Sequence, residues 1–232
     1  MNHPLRDWAR RSSELLDDLD ANPDDVVASL GDIARINRVF GGAAAVAGRL
    51  DEYFRPLPVG SALSLLDVGT GSGDLPRVAQ ERAARRGVKL RIIGLERHKV
   101  AAREAARFGL AALVAEGAEL PFAAASIDLV LCAKVLHHVP SFARRHLLLE
   151  LNRVAKVAVV VADIRRSVVA AAGFWLASFP MRVHPSTRRD GVISVFRGFS
   201  RAELMAACAS AGLRATVRRH PGWCLTAAWR AQ

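Results

Sequence analysis

The residues with the clearest chemical potential form a glycine-rich stretch, DVGTGSGD, that begins at Asp67. Its three glycines, Gly69, Gly71 and Gly73, lie between an apolar run and a helical pattern. In dinucleotide-binding loops such glycines let the backbone approach a pyrophosphate at a helix N-terminus. Here the third glycine comes one residue early, and Asp67 and Asp74 place carboxylates beside the loop. Because carboxylates repel phosphates, the loop favours a ligand that carries positive charge.

The elements that must position this loop follow from the pattern after residue 58. Apolar runs that read as buried strands lie at residues 62–68, 90–95, 111–115, 127–133 and 157–163. Helical patterns lie between them, at residues 75–86, 100–107 and 141–154. Continuous apolar strands that alternate with helices are typical of a parallel sheet covered on both faces. The sequence therefore predicts an α/β fold with a doubly wound, mostly parallel sheet.

The C-terminal part departs from this alternation. A helix at residues 200–211 begins with a capping pair, Ser200 and Glu203. It is followed by two strand-like runs, 213–218 and 225–229, which are separated by a His-Pro-Gly turn. These runs predict a hairpin that adds an antiparallel strand to one edge and completes a seven-stranded sheet.

The chain is expected to divide near its first prolines. Residues 1–58 are helical throughout and form an N-terminal extension that serves as a lid or oligomer contact, or as plain scaffold. Residues 59–232 form the main domain. Within it, residues 164–199 are an insertion expected to cover a substrate.

Composition excludes some partners. The 232-residue chain has a net charge of +11 and a pI near 11.0, which is typical of nucleic-acid or membrane-surface binders. However, aromatic residues make up only 6% and the arginines are scattered, so nucleic acid is disfavoured as a partner. The length is sufficient for one sizeable core.

Cysteine usage and the apolar segments indicate a cytoplasmic protein. Cys132, Cys208 and Cys224 are far apart and lack the spacing of a metal site, so we expect reduced thiols and no metal. The N-terminus does not resemble a signal peptide. The apolar run at residues 167–179 is too short to span a bilayer, although peripheral membrane contact remains open.

The string DVGTGSG resembles the first motif of class I S-adenosylmethionine-dependent methyltransferases. Two further segments fit this family: IIGLERH ends a strand with Glu96, and AEGAELPF places Glu116 and Gly117 after the next strand. The resemblance implies a Rossmann-like methyltransferase fold that binds S-adenosylmethionine and releases S-adenosylhomocysteine. Asp67 would favour the ammonium group, Glu96 would accept from both ribose hydroxyls, and Glu116 and Gly117 would contact adenine. A nicotinamide dehydrogenase is the alternative for the loop alone.

The cofactor-binding residues implied by the resemblance can be named individually. They are Asp67, Gly69, Thr70, Gly71, Ser72, Gly73, Glu96, Arg97, Glu116, Gly117 and Cys132. Glu116 departs from the aspartate that is usual in the family. The segments SIDLVLCAKVLHHVP and RRDGVISVFRGFS resemble small-molecule methyltransferases related to quinone-biosynthesis enzymes and to polyketide and phenolic-lipid pathways.

Candidate catalytic residues follow the predicted fourth and fifth strands. His137 and His138 lie at the mouth of the predicted cleft, and Asp163 ends the next strand. A histidine is suited to remove a proton from a phenol or enol as a methyl group is transferred. Either histidine is a candidate base, and Asp163 would orient a histidine or a substrate hydroxyl. The alternative is that these residues cap or pack ordinary elements.

Substrate recognition is assigned to the insertion at residues 164–199, here called the cover. Phe174 and Trp175 lie in its apolar segment. Arg189, Asp190 and Arg197 would be polar anchors at the pocket rim or would simply close a surface loop. The expected acceptor is therefore a hydrophobic small molecule that is aromatic, polyketide-like or phenolic, methylated on oxygen with a histidine base or by proximity alone. The alternatives are an RNA or protein methyltransferase and a non-catalytic protein that keeps the cofactor fold. We expect a monomer or homodimer.

Overall fold

One seven-stranded sheet organises the protein in the computed structural model, which describes residues 4–117 and 119–232. Its strands are β1 Ala62–Val68, β2 Lys89–Glu96, β3 Ala111–Val114, β4 Ile127–Ala133, β5 Ala155–Ile164, β6 Thr216–His220 and β7 Cys224–Arg230. The helices before and among them are α1 Pro4–Arg11, α2 Pro23–Val39, α3 Gly42–Phe54, α4 Asp74–Ala84 and α5 Lys99–Arg107. The later helices are α6 Arg144–Val154, α7 Val168–Ser178, α8 Pro185–Arg197 and α9 Arg201–Ser210.

The strand order is β3-β2-β1-β4-β5-β7-β6, so the first strand in the chain, β1, lies inside the sheet. β1 pairs in parallel with both β2 and β4. The chain therefore builds outward from β1 in one direction and from β4 in the other. In open parallel sheets the ligand crevice lies beyond the strand carboxyl ends at this reversal. The predicted doubly wound fold is confirmed, and the loops after β1 and β4 lie at the crevice.

The C-terminal hairpin is present, but its antiparallel strand does not form the edge. β7 lies between β5 and β6 and is antiparallel to both. Its residues are buried from Cys224 to Trp229, whereas Val217 is the one buried residue of β6. An apolar strand is stabilised by burial on both faces, so β7 occupies the interior and the arginine-bearing β6 forms the edge.

Two apolar layers cover the sheet. Alternate residues of β5 point to opposite faces: Val159 and Val161 join one core, and Val160 joins the other. The first core contains residues of α6 and α9, and the second contains residues of α3 and α4. The predicted capping box of Ser200 and Glu203 is confirmed at the start of α9.

The N-terminal helices have different environments. α3 buries Val46, Leu50 and Phe54 in the core that it shares with α4 and the sheet. α2 lies nearer the carboxyl ends of the strands, where Asn37 Nδ2 donates to Asp74 Oδ2 at 2.9 Å. The sequence from Ser12 to Asp17, here called the strap, connects α1 to the short turn before α2. The strap and α2 are thus the N-terminal segments that reach the ligand edge of the sheet.

Replacing Gly222 by alanine should destabilise the protein far more than the same change at Gly212. Both glycines are left-handed, with φ of +73° and +74°, so each alanine costs about 1–2 kcal/mol in backbone strain. Only at Gly222 would the new Cβ lie 1.5 Å from the Phe40 carbonyl oxygen, which belongs to backbone that cannot rotate away. We expect an additional loss of about 2 kcal/mol or more in urea unfolding. Equal losses in the two variants would contradict this contact between the hairpin and α2.

Candidate active site

A large cavity lies beyond the carboxyl ends of β1 and β4. It encloses about 730 Å³ and is lined by the loops that follow the first four strands, together with the strap, α2, α7 and α8. Its lining includes both the glycine loop and apolar side chains of the helices above it. The fold therefore forms one continuous compartment in which a cofactor and an acceptor could meet.

The glycine loop turns sharply under this cavity. Gly69, Gly71 and Gly73 all have positive φ, between +55° and +77°. A Cβ on Gly69 would lie 2.3 Å from Val135, so glycine is required there by both conformation and space. Gly73 is different, because its missing side chain makes room for Leu110 and it does not line the cavity.

Three carboxylates surround the loop. Asp67 is buried, and burial, together with the negative charges of Asp74 and Glu96, raises its pKa to about 8. The pKa of Asp74 is also raised by burial. Asp67 Oδ1 has no hydrogen-bond partner among the described residues. A buried acidic group of this kind is complementary to a cationic ligand and unfavourable for a phosphate.

Glu96 joins the loop to the second strand. Its two carboxylate oxygens accept from the backbone N–H groups of Gly71 and His98, at 3.0 and 3.1 Å. The same carboxylate lines the cavity, so its remaining lone pairs can accept from a ligand. Thr70 and Ser72 also line the cavity. The loop and Glu96 therefore form one hydrogen-bonded unit.

The other residues predicted for the cofactor divide into two groups. Arg97, Glu116 and Gly117 line the cavity, and Arg97 Nη2 also donates to Asp17 of the strap at 3.3 Å. Cys132 lies within β4, fully buried and outside the cavity lining. Burial raises the pKa of its thiol, so Cys132 is a core residue beneath the site.

His137 and Asp163 form a buried pair, of which His137 lines the cavity. His137 Nδ1 lies 2.7 Å from Asp163 Oδ1, and the His137 backbone N–H donates to Asp163 Oδ2 at 3.1 Å. Burial acts to raise the pKa of Asp163, but His137, the Ile164 N–H and the charge of Lys134 outweigh it and the pKa is lowered. Because an ionised carboxylate can only accept, Nδ1 is the protonated nitrogen of His137. His137 Nε2 is buried and has no hydrogen-bond partner among the described residues.

His138 belongs to a cluster with the strap. Its Nδ1 lies 3.0 Å from Asp17 Oδ1, and its ring centroid is 4.2 Å from that of His137. Arg197 Nη1 donates to both Glu14 and Asp17, at 2.9 and 3.2 Å. Burial acts to raise the pKa of Asp17, but His138 and Arg197 outweigh it and the pKa is well below its usual range. His138 thus contacts the carboxylates of the strap, whereas His137 contacts Asp163 at the end of β5.

The sequence predictions missed the strap residues Glu14 and Asp17. Glu14 and Asp17 contact Arg197, from which they are 183 and 180 positions away in the sequence. No local sequence pattern predicts a contact between residues so far apart. The acidic pair at i and i+3 resembles an ordinary solvated turn. Glu14 is nevertheless buried, and burial raises its pKa.

Glu14, His137 and His138 are also close enough to hold a metal ion. One ligand atom from each lies within 4.8 Å of the others, whereas the sequence analysis expected no metal site. The Glu14 oxygens already accept from Ser194 at 2.6 Å and from Arg197 at 2.9 Å. Because the Arg197 guanidinium lies against the same carboxylate, the arrangement favours a hydrogen-bonded cluster.

Some of the residues predicted to bind the substrate line the cavity, and others lie outside it. Phe174 lines the cavity and packs edge-on against Phe40 of α2, with centroids 6.1 Å apart. Arg197 also lines it, but its donors are directed at the strap. Trp175 and Arg189 lie outside the cavity, on the outer surface of α7 and α8. Asp190, which was expected at the pocket rim, also lines the cavity, as do four residues that the sequence analysis did not assign to the acceptor: Ile33, Phe40, Thr187 and Trp223.

Comparison with known proteins agrees with this geometry. Residues 66–162 match the family model for a methyltransferase domain. This match confirms the predicted cofactor, because that family uses S-adenosylmethionine. No curated protein sequence matches the chain.

Solved structures resemble the fold at low sequence identity. An S-adenosylmethionine-dependent methyltransferase from Aquifex aeolicus is 17% identical with a TM-score of 0.55, covering 79% of this chain and 89% of its own. Magnesium protoporphyrin IX methyltransferase from Synechocystis PCC 6803, with bound S-adenosylhomocysteine, is 15% identical with a TM-score of 0.57 and coverages of 85% and 86%. A chain from the complex of the Haloferax volcanii Trm112 methyltransferase activator is 16% identical with a TM-score of 0.57 and coverages of 100% and 99%. At these identities the matches confirm the methyltransferase-type fold.

Proposed function

We propose that this protein transfers a methyl group from S-adenosylmethionine to a hydroxyl oxygen of an apolar small molecule, with His137 as the base. The observation that carries this proposal is the buried pair of His137 and Asp163. His137 lines the same cavity as the glycine loop, and its Nε2 has no hydrogen-bond partner among the described residues. An N-methyltransferase acting on an amine would have less need for such a base.

The cofactor would occupy the end of the cavity at the glycine loop. Asp67 and Asp74 would stabilise its positive charge, and Glu96 has lone pairs available for ribose hydroxyls. Glu116 and Gly117 line the part of the cavity that we assign to adenine. When bound, the cofactor supplies an electrophilic methyl group on a sulfonium. The orphaned Asp67 Oδ1 supports this fit.

His137 is arranged to accept one proton. Asp163 orients the ring through Nδ1, which leaves Nε2 as the nitrogen that would accept a proton from an acceptor bound in the cavity. A phenol or enol hydroxyl that donates to Nε2 would lose its proton as the oxygen becomes nucleophilic. The ionised Asp163 then stabilises the imidazolium. Alignment of the acceptor by the cavity walls supplies much of the remaining acceleration.

The acceptor end of the cavity suits an aromatic or other apolar molecule. Ile33, Phe40, Phe174 and Trp223 provide its apolar lining. The Thr187 hydroxyl is buried there without a hydrogen-bond partner among the described residues. An unpaired polar atom in an apolar pocket favours a ligand with a matching polar substituent. These features support a phenolic or polyketide-like acceptor.

Enclosure of the cavity favours a small molecule over RNA or a protein. The strap, α2, α7 and α8 all contribute to its walls above the strand ends. A base or side chain within a polymer would require these segments to open. A free small molecule can enter the cavity without such an opening.

Isosteric acceptors test the proposal. The protein and S-adenosylmethionine would be incubated with apolar phenols and with anilines of the same shape, and initial rates of methylated product would be measured by mass spectrometry. We expect methylation of phenols at a rate that falls when His137 is replaced. Faster methylation of the anilines would overturn the assignment to oxygen.

Proton release on cofactor binding is a second expectation. With its pKa near 8, Asp67 is largely protonated at pH 7 in the ligand-free protein, and a cationic ligand would drive it to the carboxylate. Binding of S-adenosylhomocysteine, which retains the ammonium, should therefore release about one proton at pH 7. Calorimetry in two buffers of different ionisation enthalpy measures this number, and Asp67→Asn should abolish the release. No buffer dependence in the unmodified protein would contradict it.

The same carboxyl group affects stability in the absence of ligand. Its pKa is raised from 3.8 to about 8, so between these values the folded state binds a proton that the unfolded state has lost. The contribution of Asp67 to the free energy of unfolding is therefore full at lower pH and is lost as pH rises through this window. In Asp67→Asn, the free energy of unfolding should decrease less steeply as pH rises through this window.

A further inference from the structure

One side of α7 is apolar and exposed along its whole length. From Val168 to Ser178 the helix contains no charged residue. Its outer surface is formed by Val168, Val169, Ala172, Trp175 and Leu176, continued by Phe179, and is here called the α7 face. Val169 and Leu176 are 68% and 70% exposed. Exposed apolar patches of this kind on a protein surface mark interaction sites.

The α7 face continues onto α1 and α8. Leu5 and Trp8 of α1 are each 42% exposed and share a shallow groove with Trp175, Val192 and Phe196. The groove is almost wholly apolar in its lining, with Arg189 at its margin. Three helices thus contribute to one apolar surface.

Two arginines of α8 lie at the margin of this surface, and others are exposed on the neighbouring segments. The Arg188 guanidinium lies 3.9 Å from the ring centroid of Phe179, and the Arg189 side chain is 57% exposed. Arg10, Arg11 and Arg182 are exposed on the adjoining segments. One acidic side chain, Asp7, lies on α1 among these positive charges. An apolar surface with tryptophans and a basic margin is complementary to the headgroup boundary of an anionic bilayer.

We propose that the α7 face binds the surface of membranes that contain anionic lipids. The helix would lie in the interface, because no helix in the described part of the chain is long and apolar enough to cross a membrane. A symmetric dimer through the same face is disfavoured, since it would bring the two arginine margins together. The proposal therefore commits to a lipid surface as the partner.

This surface also lies next to the proposed active site. Ala170 and Phe174 on the opposite side of α7 line the cavity, so one helix separates the α7 face from the acceptor. Resting on the proposed function, this arrangement indicates that the acceptor is an apolar molecule that partitions into the bilayer.

Vesicle sedimentation of the full chain tests membrane binding. The probes are phosphatidylcholine vesicles with and without phosphatidylglycerol. The variant Val169→Glu/Leu176→Glu changes the α7 face, and Val59→Glu/Phe142→Glu is the matched control, because Val59 and Phe142 are 85% and 87% exposed elsewhere. We expect binding to the anionic vesicles to fall about tenfold or more in the first variant only.

Three results would overturn the proposal: no binding to anionic vesicles, equal binding to neutral vesicles, or equal loss in both double variants. Circular dichroism and S-adenosylhomocysteine affinity establish that each variant is folded. Methylation of a water-soluble phenol is measured on the same variants without vesicles. Loss of vesicle binding with retained methylation separates the membrane proposal from the proposed function.

Discussion

Replacing His137 by glutamine should lower kcat for a phenolic acceptor by about 10²–10⁴-fold, the usual contribution of a positioned general base. Glutamine keeps a polar side chain of moderate size but cannot take up the proton. The affinity for S-adenosylhomocysteine should be almost unchanged, because His137 contacts Asp163 rather than the glycine loop. Stopped assays at saturating cofactor, with calorimetry for binding, measure the two quantities.

His138→Gln is the matched control for this prediction. Its ring is adjacent to that of His137, but Nδ1 is paired with Asp17 of the strap at 3.0 Å. We expect a smaller loss of kcat, together with altered affinity for the acceptor. Undiminished turnover in His137→Gln would remove this residue from the mechanism.

The second large effect is expected at Glu96. Glu96→Gln should weaken binding of S-adenosylhomocysteine by about 10–100-fold, the value of one or two hydrogen bonds to a charged group. Both carboxylate oxygens accept from backbone N–H groups, those of Gly71 and His98. An amide has only one oxygen, so its NH₂ group would face one of these donors. The glycine loop would then lose its anchor as well as the proposed ribose contact.

Glu116→Gln provides the comparison for Glu96. Glu116 lines the same cavity but is exposed, so water can replace much of what the carboxylate contributes. We expect a change in affinity of no more than about fivefold. Isothermal titration of both variants measures the contrast. An equal loss in the two variants would contradict the distinct role assigned to Glu96.

Local features of the site could be predicted from the sequence because their causes are local. The positive φ angles of the glycine loop follow from residue type, and Glu96 ends a strand whose apolar pattern is clear. His137 was placed in the cleft because it follows β4 closely. The sequence did not distinguish it from His138, since only the fold shows which ring meets Asp163.

Features that depend on distant contacts could not be predicted. Glu14 reaches Arg197 through folding of the cover onto the strap, a contact between residues 183 positions apart. The sequence analysis assigned both Phe174 and Trp175 to the substrate, whereas only Phe174 of these two lines the cavity. This difference has another cause. α7 is apolar all round, so its sequence carries no periodic signal for which face is buried. Likewise, the position of β7 between β5 and β6 depends on burial across the whole sheet.

The central claim is that this chain methylates an oxygen of an apolar small molecule. The most direct measurement is to incubate it with methyl-labelled S-adenosylmethionine and a cell extract, then to separate small molecules, RNA and protein before detecting the label. We predict label in an organic-extractable small molecule, with its methyl group on oxygen by mass spectrometry and NMR, and its loss with His137→Gln. Label that is found mainly in RNA or protein would contradict the account.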